Sequence, residues 1–238
     1  MKVKIESKFS VLQNFLNQLH DRLFFAYSCF EIWESFKEML APNKIGKDEA
    51  VKNLKTINRF NYFFLPTQEA HRKIFSLELS KFFDLDRNSL SIVKILDFTQ
   101  QNLKQLTIKE FKEFNQGREH LENLAKNYEG IQSKDLEECE KILFENGLNT
   151  KEKDREKRIE KGSLIWKLKK FRNQYLAHDQ IKKEKIPLSV YDINNLFRLS
   201  GKILNLLSYK SNHNSTWHFS GNDNVKRHTN LVVQKLRG

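Results

Sequence analysis

Apolar residues recur three and four positions apart along nearly the whole chain, the period of helices that bury one face. The first run, residues 8–40, aligns Leu12, Phe15, Leu16, Leu19, Leu23, Ala26, Tyr27, Phe30 and Trp33 in one wide stripe, and Pro42 and Gly46 stop it. A second helix is predicted over residues 47–64, carrying Val51, Leu54, Ile57, Phe60 and Phe64 and interrupted by Pro66. Thr67 then caps a third helix that ends near Asp84. The turn "DLDRNSL" follows, with Ser89 as the cap of "LSIVKILDFTQQNL". Thr107 and Glu110 form a capping box at the head of the next helix, Ser133 opens another, and Gly147 closes that one. A basic helix is predicted over about 150–178, with residues 151–162 a solvated face, and "DQIKKEKIP" follows as a loop. Two amphipathic helices, about 189–211 and 223–237, flank the polar stretch "NHNSTWHFSGNDN".

No Gly/Ser linker or repeat interrupts this pattern, so residues 1–238 read as one all-α domain, a helical bundle with long antiparallel helices. With 8 glycines and 3 prolines in 238 residues, the chain lacks the tight turns an all-β fold requires. Cys29 and Cys139 sit in apolar-periodic segments without zinc-ligand spacing and read as reduced core thiols of a cytoplasmic protein. The start "MKVKIESKFS" has no apolar core of a secretory leader, and runs such as "LFFAY" are too short to span a bilayer, so no membrane partner is expected.

Charge changes the picture. The chain carries a formal net +12, and "KEKDREKRIEKGSLIWKLKKFR" concentrates much of it, which points to a polyanion as partner. A Lys-rich surface with no such partner is the competing explanation. Next in sequence comes "KLKKFRNQYLAHDQ". At about 100° per residue, Leu164, Leu168, Phe171 and Tyr175 share one face. Arg172 and His178 lie on opposite edges of that stripe, about 120° apart and about 9 Å apart along a continuous helix. Two copies packed face to face through Leu168, Phe171 and Tyr175 would bring both pairs to one cleft.

The chemistry suits metal-free RNA cleavage. An imidazole such as His178 moves a proton near neutrality, and the Arg172 guanidinium forks onto phosphate oxygens. On a regular helix Asn173 points away from the stripe, so it serves a distorted helix or a neighbouring segment. Lys167, Lys169 and Lys170, one or two turns away, are candidates for sequence-independent contacts to an RNA backbone. By spacing alone, an Arg followed by His four to six residues later arises by chance about once in such a chain. Arg172 pairing with a surface carboxylate and His178 closing a helix C-terminus then fit the residues as well.

"FRNQYLAHD" resembles the signature of HEPN proteins, a helical, nucleic-acid-associated superfamily. The aromatic first helix, "LELSKFFD" at the end of a middle helix, and "AHD" before a C-terminal helix are similar to its abortive-infection branch. The likeness covers most of the chain, with "RNQYLAHD" its specific part. It implies a helical bundle, a homodimer with a composite site, and a metal-independent endoribonuclease using Arg172, Asn173 and His178, with no cofactor. Products would carry a 2′,3′-cyclic phosphate and a 5′-hydroxyl. It also implies a toxin or phage-defence role with an antitoxin or defence-system partner. Many relatives carry a Tyr two residues after the His for modification by such a partner; Gln180 stands there, which puts that route in doubt. A non-catalytic helical dimer that binds RNA or a protein is the alternative.

His213, His218 and His228 share one region, but without helical His spacing or a nearby Cys or carboxylate cluster no metal site is expected. His20 and His71 read as core-edge histidines.

Overall fold

The structure, a computed structural model, describes residues 7–86, 88–106, 130–154, 157–173, 188–210 and 223–237. Within them the chain is all-α. Its helices are α1 (Lys8–Glu38), α2 (Pro42–Ile45), α3 (Lys47–Arg59), α4 (Asn61–Phe82), α5 (Ile92–Asn102), α6 (Ser133–Glu145), α7 (Leu164–Arg172), α8 (Val190–Lys210) and α9 (Asp223–Lys235). No helix among the described residues is long and apolar enough to cross a membrane.

The chain divides into two compact units. The larger comprises Met1–Leu23 and Leu79–His218. In it α8 packs on α6 and α7, and α5 packs on α6. Phe9, Leu12, Leu16 and Leu19 from the start of α1 are buried, as are Leu196, Phe197, Ile203, Leu204 and Leu207 from α8. Both sets follow the helical period, so one face of each helix is sealed from water. His20 is buried too, and its Nε2 lies 2.8 Å from Ser208 Oγ, which satisfies a polar ring inside an apolar environment.

The smaller unit comprises Phe24–Glu78 and Phe219–Gly238. Its core joins Phe36 and Met39 with Ile57, Phe64 and Val233. Phe30 and Phe75 meet edge to face at 5.5 Å, as do Phe36 and Phe64. Lys226 of α9 reaches three carboxylates of α1: Glu34 at 3.1 Å, Glu38 at 3.6 Å and Glu31 at 3.7 Å. Arg237 bonds Glu49 and Asn53 of α3.

Several predicted boundaries move. Pro66 lies inside α4, where it interrupts only the bond to the carbonyl of Tyr62, an outward-facing residue 94% exposed. Thr67 is therefore not a cap; its hydroxyl donates back to Phe63 O at 2.6 Å. Ser91, not Ser89, caps α5, accepting from Lys94 N at 3.4 Å. Gln132 precedes α6 as its N-cap, with its N–H on Asp135 Oδ2 at 2.8 Å, so Ser133 is the first helical residue. The capping box at Thr107 lies outside the described residues.

The largest correction concerns the predicted helix over 150–178. α6 ends as expected at Gly147, where φ is +85°: Leu148 N–H bonds Leu143 O and Gly147 N–H bonds Phe144 O, each at 2.9 Å. The chain then doubles back. Asn149 N–H donates to Arg158 O at 2.8 Å, Glu160 N–H donates to Gly147 O at 2.9 Å, and Leu148 pairs with Ile159. Residues 150–163 carry no apolar stripe that a helix could bury, and the loop's cross-bonds replace helical ones. Helix resumes only at Leu164.

Candidate active site

Ser163 starts α7 by accepting from Trp166 N at 3.2 Å. Ile165 and Leu168 face inward and are buried in the larger unit's core. Leu168 is only 1% exposed, so its apolar surface is taken up by its own chain and not by a second copy. Phe171 is half-buried. Tyr175 and His178 lie outside the described residues, as do His213 and His218.

The basic residues of α7 divide into two kinds. Lys167 Nζ is 3.6 Å from Asp192 Oδ1, an ion pair that ties α7 to the first turn of α8. Asp192 also accepts from Ser189 N at 2.9 Å and Ser189 Oγ at 2.8 Å. Partial burial pushes that carboxyl upward, but the Ser189 bonds and the Lys167 charge outweigh it and hold the carboxyl below its usual range. Lys169 and Lys170 are exposed, and Lys170 Nζ lies 5.6 Å from the centre of the Trp166 ring.

Arg172 is the last residue of α7 and is 29% exposed at its side chain. Its Nε and Nη2 both donate to Asn173 Oδ1 at 3.1 Å. Asn173 keeps helical dihedrals, φ −64° and ψ −36°, but stands in a π-helical turn, so the helix widens there without breaking. The side chains of successive helical residues diverge, and it is the long guanidinium that folds back to meet the amide. On its other side, Arg172 Nη1 lies 3.9 Å from Asp84 Oδ2.

Asp84 is a neighbour of Arg172 that sequence reading passed over. It follows the end of α4, between the buried pair Phe82 and Phe83 and buried Leu85. The apolar neighbours are drawn into the core and leave the carboxylate at the surface of the turn. Asp84 Oδ1 accepts from Asp86 N at 3.1 Å, which leaves Oδ2 towards Arg172. A carboxylate two residues past a helix end, flanked by apolar residues, was the available signal, but its partner lies on a distant segment.

Asp84, Phe83, Ile165, Leu168, Lys169 and Arg172 line a cavity of about 70 Å³. That volume admits a few waters but not a nucleotide. Among the described residues no group of three His, Cys, Asp or Glu side chains is placed to hold a metal ion. His228 is exposed on α9, and His71 Nδ1 lies 2.7 Å from Thr67 O. Cys29 and Cys139 are free and buried.

No curated protein and no solved structure matches the chain. The family profile described as AbiU2, a HEPN domain, matches residues 9–227. Its span begins at Phe9 in the core of α1, takes in Asp84, Arg172, Asn173 and His178, and reaches into α9. A match over nearly the full length, on an all-α chain that presents an Asn-held arginine at the end of a basic helix, leaves one assignment: the chain belongs to the AbiU2 family of the HEPN superfamily, in its abortive-infection branch.

Proposed function

We propose that the protein is a metal-independent endoribonuclease that acts as a toxin or phage-defence effector. The observation that carries this reading is the Arg172 guanidinium, held between Asn173 Oδ1 and Asp84 Oδ2 at the end of a basic helix. A fixed fork of N–H donors at a surface opening is suited to the negative charge that grows on a phosphoryl group. In this reading the ribose 2′-oxygen attacks the adjacent phosphorus and the 5′-oxygen leaves. His178 moves the proton from the 2′-hydroxyl or to the leaving oxygen, and Arg172 stabilises the phosphorane-like charge. Asn173 orients Arg172, and exposed Lys169 and Lys170 contact the RNA backbone. Lys167 serves mainly to dock α7 on α8. A homodimer would place two such sites together, with Phe171, which is half-buried, at the contact together with Tyr175 and in place of Leu168.

The test is incubation of purified protein with total RNA in EDTA, followed by analysis of the new ends. The expected result is EDTA-resistant cleavage leaving 2′,3′-cyclic phosphates, abolished by Arg172→Ala and by His178→Ala in folded protein. Wild-type cleavage by His178→Ala would overturn it. One observation favours a second reading, a non-catalytic RNA- or protein-binding module: Arg172 and Lys167 are both engaged by carboxylates within the chain. Salt-sensitive RNA binding without cleavage would select that reading.

A further inference from the structure

Asp84 borders two openings of the larger unit. One is the small cavity beside Arg172; the other is a cleft of about 500 Å³ between the Asp84 turn and α5. The second is large enough for a nucleobase. Helix α5 faces it with Lys94, Asp97, Phe98 and Gln101, which are three and four residues apart and so share one helical face. The opposite face of α5, with Ile92, Ile95, Leu96 and Thr99, is buried in the core. The face towards the cleft is therefore rigidly presented.

The cleft combines three kinds of group. Phe98 and Phe15 are half-buried rings that meet edge to face, with centroids 5.3 Å apart at 78°. Lys94 Nζ lies 5.9 Å from the centre of the Phe15 ring, and Arg158, its Nε held by Glu152 O at 2.5 Å, closes another wall. Asp84, Asp86 and Asp97 supply carboxylates. An aromatic wall offers a surface for a base to stack on. The three carboxylates outnumber the two cations, Lys94 and Arg158, so the cleft disfavours a phosphate inside and favours the base inward and the phosphate outward. A carboxylate accepts from adjacent N–H groups, and the guanine edge offers two, N1–H and the 2-amino group, where uracil offers a single N–H.

We infer that this cleft is a base-recognition subsite for a guanine nucleotide of a single-stranded RNA, with the neighbouring phosphate on Arg172. The inference rests on the proposed role of Arg172 as the phosphate ligand. Asp84 links the two openings, since its Oδ2 faces Arg172 and its turn forms a wall of the cleft.

The experiment uses fluorescently labelled pentanucleotides, U5 and UUGUU, 2′-O-methylated throughout so that neither is cut. Binding to the full chain is read by anisotropy. Wild-type protein is expected to bind UUGUU on the order of tenfold more tightly than U5. Asp97→Asn is expected to erase that difference, and Phe98→Leu to weaken both oligonucleotides. Equal binding of the two by wild type, binding of neither, or a preference that survives Asp97→Asn would overturn the inference. Unmodified UUGUU in the cleavage assay reads the catalytic proposal separately. A guanine preference in binding without any cleavage leaves the subsite standing and removes the nuclease.

Discussion

Gly147→Ala tests whether the α6–α7 connection fixes the start of the Arg172 helix. Gly147 has φ +85°, and a Cβ there would stand 2.1 Å from Ser163 Cβ and 2.3 Å from Ser163 Oγ. Three costs follow. The left-handed backbone costs a non-glycine residue about 1–2 kcal/mol. Forcing atoms into a filled site costs about 1–3 kcal/mol. Displacing Ser163 weakens the cap of α7, about 1 kcal/mol. The total is about 3 kcal/mol or more. A control is built into the chain, because Gly162 has φ +87° but nothing within 4 Å of its would-be Cβ. Gly162→Ala should therefore cost only the backbone term, about 1–2 kcal/mol. Adding Ser163→Gly to Gly147→Ala removes both clashing atoms, while glycine at a cap costs only about a few tenths of a kcal/mol relative to serine. The double variant should then be more stable than Gly147→Ala alone. Urea denaturation followed by circular dichroism measures all five proteins: wild type, the double variant, and Gly147→Ala, Gly162→Ala and Ser163→Gly alone. Equal destabilisation by Gly147→Ala and Gly162→Ala, or simple additivity in the double variant, would refute the reasoning.

Glu31 gives a pH-dependent prediction within the smaller unit. It is 2% exposed, and its Oε2 has no hydrogen-bond partner. Burial raises its pKa, with Glu34 and Glu38 adding to the rise and Tyr27 and Lys226 opposing it. A carboxyl whose folded pKa is raised contributes stability that is full below its unfolded pKa and is lost as pH rises through the folded value. Glu31→Gln mimics the protonated form, so its stability relative to wild type should grow between about pH 4 and neutrality. Only the difference between the two urea midpoints is read, so the other carboxylates cancel; a difference independent of pH would count against burial as the dominant cause. The thiols offer a further check. Burial, reinforced by nearby carboxylates, pushes Cys29 up to about 11 and Cys139 up to about 12. Both should resist iodoacetamide at pH 8 in folded protein and react readily in urea, as followed by mass spectrometry; rapid alkylation of the native chain would contradict it.

Helices with a continuous apolar stripe were legible in the sequence, and their boundaries were less so. α1, α8 and α9 fall within a few residues of their predicted spans because burial of one face fixes both period and extent. Pro66 misled because a proline removes a single donor, and here the orphaned carbonyl belongs to a residue facing water. The segment 150–163 misled in the opposite sense. Alternating Lys and Glu favour a helix locally, but Ile159 has no apolar companions at helical spacing, and its pairing with Leu148 holds the loop instead. At the proposed site, Arg172 and Asn173 could be singled out from sequence because they are adjacent. Asp84 could not, because the pair forms only when the turn after α4 meets the end of α7. The cleft on α5 was obscured for a related reason. Lys94, Asp97, Phe98 and Gln101 look like an ordinary solvated face until Phe15 and Arg158 are brought opposite them.

The same contacts bear on how Arg172 could serve a phosphate while paired to a carboxylate. At 3.9 Å, Asp84 Oδ2 lies beyond hydrogen-bond distance of Nη1, so the interaction aims the charge without consuming a donor. Both side chains are about a quarter exposed, at 29% and 25%, which limits the net value of such a pair to about 1 kcal/mol or less. The two bonds to Asn173 fix the plane of the guanidinium through Nε and Nη2, leaving the donors on Nη1 on the side of Asp84. A phosphate oxygen approaching that side gains a charge-assisted bond, roughly twice as strong as a neutral one. It displaces only a weak, long ion pair. Loss of Asn173 should therefore disturb the orientation of Arg172 more than loss of Asp84 does, since two directed bonds constrain the fork and a single distant charge only biases it.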